Sequence, residues 1–144
     1  MRLWHKDLIR VLPRQQLLGQ WRECHLIAKE ISKKGTPNHI LVNPIIEYPL
    51  NHFYNYCQLV VRVMINRGYT ASTEKIYEYL KDKDMDFYTL DKGIIFDKWH
   101  TDRYLYQCMS NLEEKYDRGG ITKEEWGVVL DYIKHRLGPA SDSE

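Results

Sequence analysis

Pro13 and Gly35 fence off the stretch that most constrains this chain. Between them Leu17, Leu18, Trp21, Cys24, Ile27, Ala28 and Ile31 recur at helical spacing up to Lys34, an apolar stripe that only an α-helix gathers onto one side. Pro13 suits the first turn of that helix, where its missing N–H does no harm, and Gly35 suits its end. The punctuation then repeats. Gly35, Pro37, Pro44 and Pro49 mark residues 35–51 as a loop. A second helix is predicted from about Asn51 to Arg67, with Phe53, Tyr56, Val60, Val63 and Met64 facing inward and Gly68 as its stop. A shorter one follows near Thr73–Lys81, and Asp82–Asp97 reads as irregular. A fourth spans roughly His100–Tyr116 on the stripe Leu105, Cys108, Met109 and Leu112. Thr122 and Glu125 form a capping box that opens a fifth helix, carrying Trp126, Val129, Leu130 and Ile133 and closed by Gly138-Pro139. No stretch alternates as a strand does. The expectation is an all-α chain, a single domain over residues 1–138 with a flexible tail at 139–144.

Size and composition agree. A chain of 144 residues, 43% apolar and 28% charged, is long enough to bury a core of its own. The first ten residues are too charged for a signal peptide. The apolar run Ile40 to Ile46, interrupted by Asn43 and Pro44, is too short to cross a bilayer. Cys24, Cys57 and Cys108 lie far apart without a C-x-x-C pair, so the reading is a cytoplasmic protein with reduced, mostly buried thiols and no zinc knuckle.

Metal signals fail on their own chemistry. Gly119-Gly120-Ile121 followed by Glu125 resembles the end of a calcium loop, but Tyr116 and Arg118 would occupy its early ligand positions, where hard oxygen donors are needed. Asp82, Asp84 and Asp86 alternate well, yet Phe87 stands where the turn glycine belongs and Gly93 where the closing glutamate belongs. The six histidines show no zinc-protease spacing. No metal and no cofactor are expected.

Charge is uneven. Residues 1–36 hold eight Lys/Arg against three Asp/Glu, a local balance of +5 in a chain whose total is +1. Phosphate neutralisation is a local matter, so a basic N-terminal quarter is compatible with nucleic-acid binding, and equally with a solvated helix face. Two details add chemistry. A free α-amine at a chain terminus sheds its proton at far lower pH than a lysine does, which makes it a usable nucleophile. Arg2 is too large a second residue for removal of the initiator, so Met1 would carry that amine. Arg22-Glu23 on the first long helix offers a phosphate grip and an acid/base group beside it, with Gln16, Gly19 and Gln20 on the flank of Glu23 and Gly19 leaving room for a ligand.

Arg2, Leu17 with Arg22-Glu23, Asn38-His39 and Arg67-Gly68-Tyr69 resemble the endonuclease V type of pyrimidine-dimer DNA glycosylase, over roughly residues 1–118. The resemblance implies the helical fold of that family, here with an extra C-terminal helix. It implies a DNA repair glycosylase with abasic-site lyase activity, acting without metal as a monomer on damaged double-stranded DNA. Met1 takes the place of the family's amine nucleophile and Glu23 that of its assisting glutamate. Arg2 and Arg22 take the places of phosphate-holding arginines. His39 is either a contact to the lesion strand or the sugar, or a cap on a helix end. Lys115, in Leu112-Glu113-Glu114-Lys115, matches a DNA-contacting run or lies on a solvated face. Lys6, Arg10 and Arg14 are further candidate phosphate grips. Two family arginines fall on Leu26 and Asn111, and the phage enzyme's terminal aromatic cluster is replaced by the Thr122–Leu137 helix. Trp21, Trp126 and Tyr104 sit on helical stripes and read as core first, whereas Trp4 and Trp99 are unconstrained by periodicity. The alternative is a non-catalytic helical module that binds nucleic acid or a protein partner, or a structural protein whose basic face is only solvated.

Overall fold

The structure, a computed structural model, describes residues 1–83, 85 and 93–137. Among the described residues, five α-helices and two short 3-10 turns account for the regular backbone, and no strand occurs. In chain order these are the 3-10 turn Lys6–Val11, α1 (Arg14–Lys34), the 3-10 turn Asn43–Glu47, α2 (Leu50–Asn66), α3 (Glu74–Leu80), α4 (Asp102–Asp117) and α5 (Lys123–Leu137). The all-α expectation holds, and each predicted helix appears within about two residues of its predicted bounds. The 3-10 turn at Lys6–Val11 was not legible in the pattern, and a second one sits inside the predicted loop.

The terminators act as the sequence chemistry requires. Pro13 caps α1 from outside, and Gly35 ends it at φ +77°, a left-handed conformation that glycine adopts without strain. The capping box of α5 is complete: the Glu125 N–H donates to Thr122 Oγ1 and the Thr122 N–H donates to Glu125 Oε1, both at 3.1 Å.

Helix α2 is the central strut. The five expected inward residues are buried, but so are Asn51, His52, Tyr54, Asn55, Cys57, Leu59 and Val61. A one-faced stripe therefore understates it. Its polar residues serve irregular backbone: Asn55 Nδ2 donates to the Ile94 carbonyl at 3.0 Å, His52 Nδ1 accepts the Phe96 N–H at 2.9 Å, and the Tyr56 hydroxyl donates to the Trp4 carbonyl at 2.6 Å. Buried peptide groups outside helices need such partners. Helix α1 packs on α2 and α3, the Lys6–Val11 turn on α2 and α5, and α4 on α5. Trp4 and Trp126 are buried, while Trp21, Trp99 and Tyr104 are half-buried. All three cysteines are buried and free. No described helix is long and apolar enough to cross a membrane. Asp84, Asp86 and Phe87, the expected helix end at Gly138-Pro139 and the tail at 139–144 fall outside the described residues.

Candidate active site

The first five residues are irregular, and each described turn of chain there is held by a side chain from a helix. Gln20 is the clasp. It is 1% exposed, and its Oε1 accepts the Trp4 N–H at 2.8 Å while its Nε2 donates to the Arg2 carbonyl at 3.0 Å. That pair mimics the two hydrogen bonds of a strand partner, with one side chain doing both. The Tyr56 hydroxyl lies 2.9 Å from the same Oε1, and the Tyr104 hydroxyl donates to the Leu3 carbonyl at 2.6 Å. Leu3, Trp4 and His5 are buried. The terminus is thus fixed from three helices, α1, α2 and α4.

Glu23 stands one turn beyond Gln20 on α1, half-buried. Its Oε2 accepts from the Arg2 N–H and from Gln20 Nε2, each at 3.4 Å. The carboxylate is thereby aimed at the peptide between Met1 and Arg2. The Arg2 guanidinium folds back over the Trp4 indole, 5.5 Å from the ring centre, a cation–π placement. Met1, Arg2, Trp4 and Glu23 form one wall of a cleft of about 250 Å³; Leu41 from the loop after α1, with Asn111 and Lys115 from α4, completes it.

Of the residues singled out in the sequence, Met1, Arg2, Glu23 and Lys115 share this cleft. Arg22 is exposed and lies outside its walls; its Nη2 would sit 3.9 Å from a Cβ placed on Gly19, so it lies back along α1. A Cβ at Gly19 would meet no other side chain or distant backbone atom more closely than that, an ordinary van der Waals contact. His39 uses its ring locally, Nδ1 accepting the Leu41 N–H at 3.2 Å. It sits in a tight turn in which Asn43 Oδ1 also accepts the His39 N–H at 2.9 Å, so its described contacts are those of a cap. Leu26, at a family arginine position, is exposed; Asn111, at the other, lines the cleft and donates from Nδ2 to the Gln107 carbonyl at 2.8 Å.

Lys6, Arg10 and Arg14 line none of the cleft. Lys6 and Arg10 border a cavity of about 280 Å³ with Arg62, and Lys6 Nζ donates to the Ile95 carbonyl at 2.7 Å. Arg10 and Arg14 border a second groove with Arg67 and Tyr69, where Arg14 Nε donates to the Tyr69 hydroxyl at 3.0 Å and Arg67 Nη2 to the Arg10 carbonyl at 2.9 Å. The Arg67-Gly68-Tyr69 run therefore holds the start of α1 in place and meets no residue of the Met1 cleft in these contacts.

Three residues of the support escaped the sequence reading: Gln20, Tyr56 and Tyr104. Gln20 read as polar flank, and Tyr56 and Tyr104 as core. The only signal was the position of a glutamine one turn from Glu23 on the same side. Burial raises the Tyr104 hydroxyl above the usual phenol range, and it raises the Cys108 thiol although the Arg2 cation pulls the other way. Among the described residues no three His, Cys, Asp or Glu side chains cluster to hold a metal ion.

The family model described as pyrimidine dimer DNA glycosylase matches residues 1–77, which include Met1, Arg2, Arg22, Glu23 and His39 but not the α4 wall of the cleft. No curated protein and no solved structure matches the chain.

Proposed function

The chain belongs to the pyrimidine dimer DNA glycosylase family, and from that premise we propose that it removes a damaged pyrimidine and cuts the strand through an imine at its N-terminal amine. The observation that carries the reading is the cleft shared by Met1, Arg2, Glu23 and Lys115, in which the Glu23 carboxylate lies 3.4 Å from the first peptide nitrogen after Met1.

The amine lone pair attacks C1′ of the damaged nucleotide's deoxyribose, and the glycosidic bond breaks with its electron pair leaving on the base, which takes up a proton. The C1′–O4′ bond then breaks with its electron pair going to O4′, which takes up the proton the attacking amine gives up, so that the sugar ring opens to a protonated imine joined to Met1. The cation is stabilised by the adjacent Glu23 carboxylate, and the same carboxylate then takes a proton from C2′. Electrons of that C–H bond form the C2′–C3′ double bond and expel the 3′ phosphate, which is β-elimination. Water hydrolyses the remaining imine and frees the amine. No step calls for metal or redox chemistry. Arg2 and Lys115 in the cleft, and Arg22 on the exposed side of α1, hold phosphates of the distorted strand; a bond from arginine to phosphate fixes register without reading bases. Lys6, Arg10 and Arg14 serve phosphates beyond the cleft, and His39 acts by shaping the turn that carries Leu41. The protein acts as a monomer.

Glu23→Gln tests the chemistry. It keeps the shape and the acceptor for the Arg2 N–H but removes the base. Strand cleavage is expected to fall about 10²–10⁴-fold, the usual contribution of a positioned acid/base group, while duplex affinity changes little. Undiminished cleavage contradicts this role for Glu23. A purely binding module shows salt-dependent affinity with no cleavage in either protein.

A further inference from the structure

Ile40 is 83% exposed and Leu41 47%, on the turn that joins α1 to the Asn43–Glu47 segment. Two adjacent aliphatic side chains held out in water are a cost unless something covers them. The turn that presents them is stiff. The His39 carbonyl accepts the Val42 N–H at 3.0 Å and the Asn43 N–H at 2.8 Å, the His39 ring accepts the Leu41 N–H, and Asn43 Oδ1 accepts the His39 N–H. Behind them Val42 and Ile45 are fully buried, anchoring the turn in the core. Asn38 enters the turn at φ +55°, a left-handed conformation that asparagine tolerates better than most residues. Leu41 is also a wall of the Met1 cleft, so this apolar tip stands at the mouth of the proposed active site.

We propose that Ile40 and Leu41 form a wedge that enters the base stack of the duplex beside the lesion. The inference rests on the DNA-repair reading above and deepens it. Attack at C1′ requires the sugar to leave its place in the duplex, and the base or its partner must be unstacked for that to happen. The vacated space then exposes apolar base faces. Proteins that kink DNA fill such space with Leu, Ile, Phe or Met side chains pushed between base steps. Ile40-Leu41 has the chemistry, the exposure and the rigid support for that task, and its continuity with the cleft places it next to the strand being attacked. A polar or flexible tip would leave the gap to water and supply nothing to hold it open.

The test compares two substrates carrying one pyrimidine dimer. One is fully paired, with 2-aminopurine beside the lesion to report unstacking; the other holds the dimer in a mismatched bubble that is already open. With the paired substrate, the wild-type protein should raise 2-aminopurine fluorescence on binding. In Ile40→Ala the rise should largely disappear. The ratio of bubble to paired cleavage should increase about tenfold to a hundredfold, the equilibrium equivalent of burying an aliphatic side chain of this size. Ile40→Leu should restore both readouts, and Leu41→Ala should act in the same direction as Ile40→Ala. Since Ile40 is exposed, its truncation takes nothing from the core. An unchanged fluorescence rise with an unchanged cleavage ratio in Ile40→Ala overturns the wedge. So does an equal loss on both substrates, which would mean a general contact. If the wild-type protein cleaves neither substrate yet unstacks the duplex through Ile40, the wedge stands and the glycosylase reading falls.

Discussion

At the scale of single residues, the account turns on Gln20. A buried amide that accepts the Trp4 N–H and donates to the Arg2 carbonyl decides where Met1 lies relative to Glu23. Gln20→Leu has nearly the same volume but strands the buried Trp4 N–H, and an unsatisfied donor of that kind costs about 1–3 kcal/mol. The expected outcome is a destabilisation of that order in urea unfolding, together with a loss of cleavage larger than the loss of duplex affinity. A variant that loses stability but keeps full activity per folded molecule would remove Gln20 from the positioning of the terminus. Glu23 could be picked out of the sequence because Arg22-Glu23 matches a family pattern. Gln20 could not, since its value lies in two hydrogen bonds to irregular backbone sixteen and eighteen residues away, and periodicity placed it on a polar flank. The same limit applied to Lys6, Arg10 and Arg14, whose nearness to Arg2 in sequence does not bring them into the cleft.

At the scale of elements, the helices were legible wherever a chain breaker or cap sat beside a stripe. Gly35, Gly68 and the Thr122–Glu125 box each end or start a helix as expected. What failed to show was burial on more than one side. Asn51, His52 and Asn55 gave α2 the look of a helix with a polar face, although they are interior groups. The Lys6–Val11 turn failed for a related reason: six residues are too few to show a period, and the turn is held by tertiary contacts through His5 and His100. The α5 cap offers a quantitative check. Thr122→Ala removes the acceptor of the Glu125 N–H, and loss of an N-cap hydroxyl costs about 1 kcal/mol. A drop of that order in the unfolding free energy is expected, read by chemical denaturation. An unchanged midpoint would mean that α5 is held by packing of Trp126, Val129 and Ile133 alone.

At the scale of the whole molecule, three buried histidines tie distant segments together, and each accepts a backbone N–H at Nδ1: His5 from Asp7, His52 from Phe96, and His100 from Lys6. Both bonds of His5 fix its tautomer, since Nε2 is then the donor to the His100 carbonyl. Burial holds all three rings below the ordinary imidazole range, and for His100 the pKa is pushed down to about 2. In the unfolded chain these rings take up protons near pH 6.5. Acidification therefore adds protons to the unfolded state that the fold refuses, so stability is complete above about pH 7 and is lost as the pH falls through about 6.5 and below. His100 alone accounts for up to about 1.4 kcal/mol per pH unit across that fall. The melting temperature should decline steadily from pH 7 to pH 5. A flat profile over that range would show that the three rings are open to protonation in the native state.

The central claim, an imine at the first residue, is met most directly by trapping. Protein with an unblocked Met1 is mixed with a duplex containing one abasic site, in borohydride and chelator. The account predicts a covalent protein–DNA adduct that disappears when the terminal amine is acetylated and whose peptide map places the sugar on Met1. No adduct from protein whose amine is confirmed free, or an adduct on a lysine side chain, would contradict it.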